Sequence, residues 1–140
     1  THPRWLRVCD LKAPRTGLEV KFSYAFLAAM VVQNIDTASE KAYGDALCAD
    51  PGIVRFADRV EVIGDETLTD TQCRLTVELS DGSIVESAHD LLSPVPDNVL
   101  MQRLRNKANG HLAERRAEEL WGRIARIDQL LARELAGLLA

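Results

Sequence analysis

The sequence is poor in aromatic residues and has no long apolar run. Aromatic side chains make up 5% of the 140 residues. Nucleic acids are usually bound by basic surfaces with interleaved aromatic side chains, so nucleic-acid binding is not indicated. The longest apolar run, residues 25–32, is far shorter than the roughly 20 residues that span a bilayer. No basic segment followed by an apolar stretch opens the chain, so no signal peptide is predicted.

Cysteine and histidine are also scarce, with three of each. They lie far apart in the sequence, and no CxxC pair, the spacing typical of metal and redox sites, is present. We therefore predict no metal site, no disulfide framework and no bound cofactor. The cysteines are expected to be reduced and buried in a cytoplasmic protein without a membrane segment. These cysteines are Cys9, Cys48 and Cys73.

The size and composition are those of one folded domain, which we place at residues 1–140. Apolar residues make up 46% and charged residues 27% of the chain, as in globular proteins of this length. The net charge of −4 is unevenly distributed. Residues 1–21 carry five basic and two acidic side chains, whereas residues 22–100 carry four basic and fourteen acidic ones. The positive segment at the start is suited to a small anion.

Thr16 and Glu19 have the spacing of a capping box, in which each side chain accepts a bond from the other's main-chain N–H. The pattern predicts one helix over residues 17–34, preceded by a short strand at residues 4–9. Beyond Ser23 this helix has no polar face. We therefore expect it to be buried on more than one side, at the centre of the domain.

Two further helices are indicated by typical start residues. Thr37 and Glu40, just after Asp36, again have capping-box spacing and predict a second helix. Asp50 followed by Pro51 predicts a third, short helix, because proline is favoured at the first helical position.

The clearest local pattern is a β-hairpin over residues 71–88. Cys73, Leu75, Val77 and Leu79 alternate with polar residues, Asp81 and Gly82 are typical turn residues, and Ile84 and Val85 start the second strand. A strand is also predicted over residues 60–64.

Two helices close the chain, one from Asp97 to about residue 110 and a final one with an apolar stripe. That stripe consists of Ala117, Leu120, Trp121, Ile124, Ile127, Leu131, Leu135 and Leu138. The order of elements predicts an α+β fold, a two-layer domain with a small, mainly antiparallel sheet that includes the hairpin and packs with helices.

Catalytic residues cannot be assigned from motifs, because GxGxxG, P-loop, GxSxG and HExxH patterns are all absent from the sequence. His89 beside Asp90 is interpreted as an exposed loop pair. Arg15 and Lys21 are different, since capping does not need them and cations oppose the helix dipole at this end. With free N–H groups of the first helical turn, they would form an anion-binding corner.

One stretch resembles a known family. "CDLKAPRTGLEVKFS", residues 9–23, followed by an apolar helix, is similar to the segment that opens the C-terminal domain of the MmgE/PrpD family. The pattern there is close to P-x-T-G-L-E-A-K-F-S. The hairpin "VELSDGSIVE" and the closing helices through "ELAGLL" follow in the same order. Members include 2-methylcitrate dehydratase, cis-aconitate decarboxylase and iminodisuccinate epimerase.

The resemblance implies a lid-like domain that covers the substrate of an enzyme acting on a small di- or tricarboxylate. Family chemistry begins with proton removal next to a carboxylate and leads to dehydration, decarboxylation or epimerisation. Most polar catalytic residues come from a larger helical N-terminal domain and the joining segment, which would precede Thr1. We therefore expect this chain to be inactive alone, with the helical domain or a partner chain required and a homo-oligomer possible.

The resemblance and the anion-binding corner together give five candidate substrate-binding residues in this sequence. Arg15 and Lys21 would hold the carboxylate, and Ser23, Tyr24 and Phe26 would shape the wall. Phe26 stands where the family pattern has a tyrosine, so a hydroxyl group is missing there. On a helix, Tyr24 points about 200° away and does not simply replace it.

An alternative function remains open, a stand-alone binding or regulatory module that kept the fold without catalysis. Phe26 favours this second interpretation. A reading frame that continues upstream into a helical domain would favour the enzyme, whereas a start codon just before Thr1 would favour the module.

Overall fold

The computed structural model describes residues 1–112, 114–129, 133–134 and 137. Two compact units are present, Thr1–Pro94 and Val95–Ala140. The α-helices of the described residues are α1 Leu6–Cys9, α2 Gly17–Val20, α3 Tyr24–Val32, α4 Pro51–Ala57, α5 Asp97–His111 and α6 Glu114–Ile124. The strands are β1 Gln72–Glu78 and β2 Ile84–Asp90. Turns of 3₁₀ helix lie at Pro3–Trp5, Glu40–Ala42, Asp45–Ala49 and Ile127–Gln129.

The α+β prediction is confirmed, but the described sheet consists of the hairpin only. Residues 4–9 form a 3₁₀ turn and α1, so the strand predicted there is wrong. The His2 side chain accepts from the Arg4 N–H, and Pro3 occupies the first position, so a 3₁₀ turn starts here instead of a strand. Side-chain bonds to a distant residue also hold this turn. Arg4 bonds the carboxylate of Asp70 at 2.6 Å, and the Trp5 indole N–H donates to the Asp70 carbonyl at 2.7 Å.

The strand predicted over residues 60–64 is also wrong, because this segment is irregular. The main chain around this segment forms hydrogen bonds with one residue of another segment, Thr1. The Thr1 amino group donates to the Ile63 carbonyl, and the Asp65 N–H donates to the Thr1 carbonyl. A pairing this short does not make a β-ladder.

The single helix predicted over residues 17–34 is interrupted and forms α2 and α3. Ser23 adopts an extended conformation, and its hydroxyl accepts from the Phe26 N–H at 3.3 Å, which starts α3. Its main chain pairs with Asp10 in an isolated antiparallel bridge. The helix therefore breaks because Ser23 serves both as a cap and as a partner of a distant segment.

The core of the first unit lies where α3 packs against α4. Asp50 accepts bonds from the N–H groups of Gly52 and Ile53, which confirms the predicted start of α4. α3 was predicted to be buried on more than one side, but Val31 and Val32 at its end are 61% and 57% exposed, so part of its surface is open to solvent. The buried core residues are Val20, Ala25, Phe26, Ala29, Met30, Ile53 and Ala57.

The second helix predicted after Asp36 is absent, and two 3₁₀ turns take its place. The Asp36 carboxylate accepts from the Ala38 N–H at 2.9 Å, which forms a local turn instead of a capping box at Thr37. The Tyr43 hydroxyl then donates to the Thr37 carbonyl at 2.7 Å. Side-chain bonds to the main chain thus compete successfully with helix formation here.

The hairpin prediction is confirmed. Strands β1 and β2 pair antiparallel with Val77 opposite Val85. Gly82 at the turn has a φ of 82°, in the left-handed region that favours glycine. The Asp81 carboxylate accepts from both the N–H and the hydroxyl of Ser83, which holds the turn.

The second unit contains α5 and α6. The helix predicted from Asp97 is confirmed as α5, although Pro96 occupies the cap position and makes no side-chain capping bond. Of the predicted apolar stripe, Ala117 is buried while Ile124 and Ile127 are exposed. Leu131, Leu135 and Leu138 lie outside the described residues. Within the described part of the chain, we find no helix with the length and apolar character that crossing a bilayer requires.

Candidate functional site

The predicted anion-binding residues surround the start of α2. The main chain enters this helix through a conventional N-cap, and a second segment with two 3₁₀ turns lies across it. We call this region the α2 corner, and its residues are Arg15, Thr16, Gly17, Glu19, Lys21, Tyr43 and Asp45.

The capping box of the α2 corner is confirmed in one of its two bonds. Thr16 Oγ1 accepts from the Glu19 N–H at 3.3 Å. Glu19 Oε2 accepts from the N–H of Arg15 at 2.6 Å, one residue before the N–H that a capping box predicts. Glu19 is therefore committed to main-chain structure, as the sequence indicated.

Gly17 lets the second segment approach the α2 corner closely. A Cβ atom at this position would lie 2.0 Å from the carbonyl oxygen of Tyr43, a distance that no side chain tolerates. The Gly17 N–H donates to Asp45 Oδ1 at 2.8 Å. The sequence shows a glycine here, but only the fold reveals that it makes room for another part of the chain.

Lys21 is held by an aromatic ring of that same segment. Its Nζ lies 4.8 Å from the ring centroid of Tyr43, within the range of a cation–π contact. Burial raises the pKa of the Tyr43 phenol, and the nearby Asp36 carboxylate raises it further. The phenol therefore stays neutral, and its hydrogen bond to the Thr37 carbonyl fixes the ring beneath the ammonium group.

The corner is not the open cradle of N–H groups that the sequence predicted. The amide of Gly17 is taken by Asp45, and the amide of Glu19 is taken by Thr16. The prediction of free N–H groups is therefore wrong for Gly17, because a distant carboxylate accepts from its N–H. Burial raises the pKa of the Cys48 thiol nearby, and the Asp45 and Glu19 carboxylates add to the increase. The α2 corner thus contains acidic side chains as well as the basic side chains of Arg15 and Lys21.

Arg15 and Lys21 both have exposed side chains, and their assignment to a carboxylate stays a prediction. Ser23 and Phe26 lie deeper, with exposed fractions of 1% and 4%. The Ser23 hydroxyl caps α3, and Phe26 belongs to the core cluster. In the first unit these two side chains therefore hold α3 in place, Ser23 by capping its start and Phe26 by packing into the core.

Tyr24 is half-buried. Burial is the main cause that raises the pKa of its phenol. The thiols of Cys9 and Cys73 raise it further, while a hydrogen bond with Thr1 acts in the opposite direction. A phenol in this state keeps its proton at neutral pH, so it suits hydrogen bonding rather than general-base chemistry.

A Cys–His pair on the hairpin was missed by the sequence reasoning. The register sets Cys73 directly opposite His89, which places their Cβ atoms about 5 Å apart on one face. The turn at Asp81 and Gly82 contained the signal, because it fixes which residues face each other. Cys73 is exposed, so the prediction of a buried thiol is wrong for it. Both residues line an open cavity of about 290 Å³, together with Leu68, Gln72, Arg74, Ala88, Asp90 and Ser93.

Comparison with known families decides the affiliation. The profile of the MmgE/PrpD C-terminal domain matches residues 1–133. The chain belongs to the MmgE/PrpD family. Its matched segment includes both units' described helices and the hairpin, and it confirms the resemblance read from "PRTGLEVKFS". No curated protein and no solved structure matches the chain.

Proposed function

We propose that this chain is the substrate-covering C-terminal domain of an MmgE/PrpD-like enzyme that acts on a small di- or tricarboxylate. The single observation that carries the proposal is the family match over residues 1–133. The reaction class is proton removal next to a carboxylate, followed by dehydration, decarboxylation or epimerisation. A cytoplasmic location is part of the same proposal.

The α2 corner supplies the groups with which this domain would touch substrate. Arg15 and Lys21 are exposed cations. The Arg15 N–H donates to Glu19, and the Lys21 ammonium lies over the Tyr43 ring. Arginine suits a carboxylate because its planar fork can donate two parallel hydrogen bonds. Lysine adds a compact positive charge, which lies 4.8 Å from the centroid of the Tyr43 ring.

Binding to the chain alone should be weak for two physical reasons. The carboxylates of Asp45 and Glu19 share the corner with the two cations and reduce their pull on an anion. The corner is also open to water, where charge interactions are weak. We therefore expect a dissociation constant on the order of 1 mM or weaker for a tricarboxylate.

The proton-transfer step requires a base in a desolvated site, and this domain is not its source in the proposal. Tyr24 keeps its proton for the reason given above, and Phe26 offers no hydroxyl. The role assigned to this chain is to bind the carboxylates and to exclude water. Removal and return of the proton would fall to residues of a helical domain or partner chain.

A second candidate function is a non-catalytic binding or regulatory module with the same fold. The burial of Phe26 favours it, because the position that carries a tyrosine in the family pattern is here part of the apolar core. Such a module would bind the same carboxylates at Arg15 and Lys21. It differs from the enzyme in that no partner domain would give it turnover.

The binding part of the proposal is tested by an NMR titration of the chain with citrate at low salt. We expect amide shifts concentrated on residues 15–21, and Lys21→Ala or Arg15→Ala should reduce them. Lys107→Ala on α5 is the matched control, since it removes one exposed cation elsewhere. Shifts spread evenly over α5 and α6 would show non-specific attraction and would remove the corner from the proposal.

Turnover separates the two functions. The chain alone should convert none of the family's di- and tricarboxylate substrates. If it is encoded with an upstream helical domain, the complete protein should convert one of them, as the enzyme proposal requires. An inactive complete protein that still binds citrate through Arg15 and Lys21 would support the module instead.

A further inference from the structure

Two lysines near the start of the chain are held by different kinds of partner. The Lys12 ammonium lies 2.7 Å from the Asp10 carboxylate, which neutralises much of its charge. The Lys21 ammonium lies 4.8 Å from the ring centroid of Tyr43. Lys21 forms no salt bridge with another residue of the part of the chain that the structure describes.

An aromatic ring can hold an ammonium group without cancelling its charge. The face of the ring attracts a cation through its quadrupole, but the ring carries no net charge. The Tyr43 phenol keeps its proton, because burial and the nearby Asp36 carboxylate raise its pKa. The Lys21 ammonium therefore keeps its positive charge for an anion that reaches it from solvent.

The Tyr43 ring is a fixed support for this flexible lysine. Its hydroxyl donates to the Thr37 carbonyl at 2.7 Å, and its side chain packs against the core cluster of the first unit. Its main chain is equally constrained, since a Cβ atom at Gly17 would lie 2.0 Å from the Tyr43 carbonyl oxygen. Both ends of the tyrosine are thus tied to other parts of the fold.

We propose that Tyr43 is a positioning residue, whose ring holds the Lys21 ammonium in place for a carboxylate at the α2 corner. Tyr43 acts through Lys21 rather than on the ligand itself. It has this role only if the proposed function holds, because the carboxylate site is the same one. The benefit is entropic: ordering a long side chain on binding costs free energy, and a side chain that already lies on the ring avoids part of that cost.

The position of Lys21 over the ring is measured by NMR on the full chain. Protons above an aromatic ring are shifted upfield, so the Hε protons of Lys21 should resonate upfield of those of Lys12. NOE contacts should join them to the ring protons of Tyr43. Both signals should persist at high citrate concentration. Their absence without citrate, or their loss when citrate binds, overturns the proposal.

Two substitutions at Tyr43 separate the ring from its hydroxyl. Tyr43→Phe keeps the ring and should bind citrate like wild type, with the Lys21 signals retained. Tyr43→Leu removes the ring and should weaken citrate binding about fivefold, because the lysine must then be ordered on binding. NMR titrations of the full chain give the dissociation constants. Lys12→Ala is the matched control and should leave the affinity unchanged, since Asp10 already neutralises that lysine.

A structural defect in Tyr43→Leu is recognised at the Gly17 amide, whose bond to Asp45 depends on the same segment. An unchanged Gly17 amide signal means that the affinity of this variant decides the proposal. If that signal moves, the Lys21 signals of wild type with and without citrate decide it instead.

The same titrations distinguish the role of Tyr43 from the proposed function itself. If Lys21→Ala weakens citrate binding but a correctly folded Tyr43→Leu does not, the positioning role is overturned and the α2 corner still stands as the binding site. If Lys21→Ala and Arg15→Ala both leave citrate binding unchanged, the α2 corner is not the binding site and the positioning role falls with it.

Discussion

The α3–α4 core and the hairpin are both indicated by clear sequence patterns, yet the apolar side chains of the core are buried and those of the hairpin are exposed. In the core, Ile53 and Met30 are fully buried. In the hairpin, Leu75 and Val85 lie on the side where apolar residues alternate, and their exposed fractions are 56% and 50%. An apolar pattern thus indicates which side of an element benefits from burial, but it does not identify what covers that side.

The two regions also differ in the range of the interactions that shape them. The hairpin turn is held by Asp81 and Ser83, two residues apart, and by the left-handed Gly82. The α2 corner is held by bonds across the chain, such as that between Gly17 and Asp45. Local interactions survive when packing is lost, whereas long-range ones form only within the complete fold.

The sharpest test of this comparison is one substitution made in both regions. Ile53→Ala should lower the free energy of unfolding by about 4 kcal/mol, because it leaves a cavity in a tightly packed core. Ile84→Ala should lower it by less than about 1 kcal/mol, a strand-propensity effect without a cavity. Urea denaturation followed by circular dichroism measures both. Equal losses would show that the hairpin is as well packed as the core.

The next test concerns close approach in the α2 corner. Gly17→Ala should destabilise the first unit by about 3 kcal/mol, because the new methyl group meets the Tyr43 carbonyl and the two segments must separate. Gly44→Ala is the control, since open space surrounds that position, and its effect should stay below about 0.5 kcal/mol. The same denaturation measurement applies. A harmless Gly17→Ala would mean that the second segment does not lie against α2.

A smaller effect is expected at the helix cap. Thr16→Ala should cost about 1 kcal/mol, the usual value for a lost N-cap. Glu19→Gln should cost less than about half of that, because a glutamine oxygen can still accept from the Arg15 N–H. If Glu19→Gln were as harmful as Thr16→Ala, the negative charge of Glu19 would have a role beyond accepting that bond.

The smallest effect belongs to the hairpin turn and depends on pH. Hydrogen bonds from the hydroxyl and the N–H of Ser83 lower the pKa of the Asp81 carboxyl below its ordinary 3.8. A lowered pKa means that this carboxylate stabilises the folded turn above pH 3.8 and that the contribution is lost as the pH falls through the lowered value. Ser83→Ala should move the pKa of Asp81 back up, as measured by carboxyl-detected NMR. An unchanged pKa would show that the two side chains do not interact.

Several interactions between near neighbours were predictable from the sequence. The hairpin with its turn, the start of α4 at Asp50 and the Thr16 cap depend on residues within a few positions of one another, and the structure confirms all three. The motif around "TGLEVKFS" was equally readable and led to the family. Even the opposition of Cys73 and His89 follows from the turn.

The remaining features were decided by tertiary contacts between distant segments. The break at Ser23 depends on pairing with Asp10, and the occupied helix start at Gly17 depends on Asp45. No local sequence pattern predicts such a pairing, because the paired residues are far apart in the sequence and come together only when the chain folds. Sequence alone determined the family, the hairpin and the helix starts at Thr16 and Asp50. Only the folded chain decided that the Gly17 N–H is bonded to the Asp45 carboxylate, since that bond forms when both segments pack together.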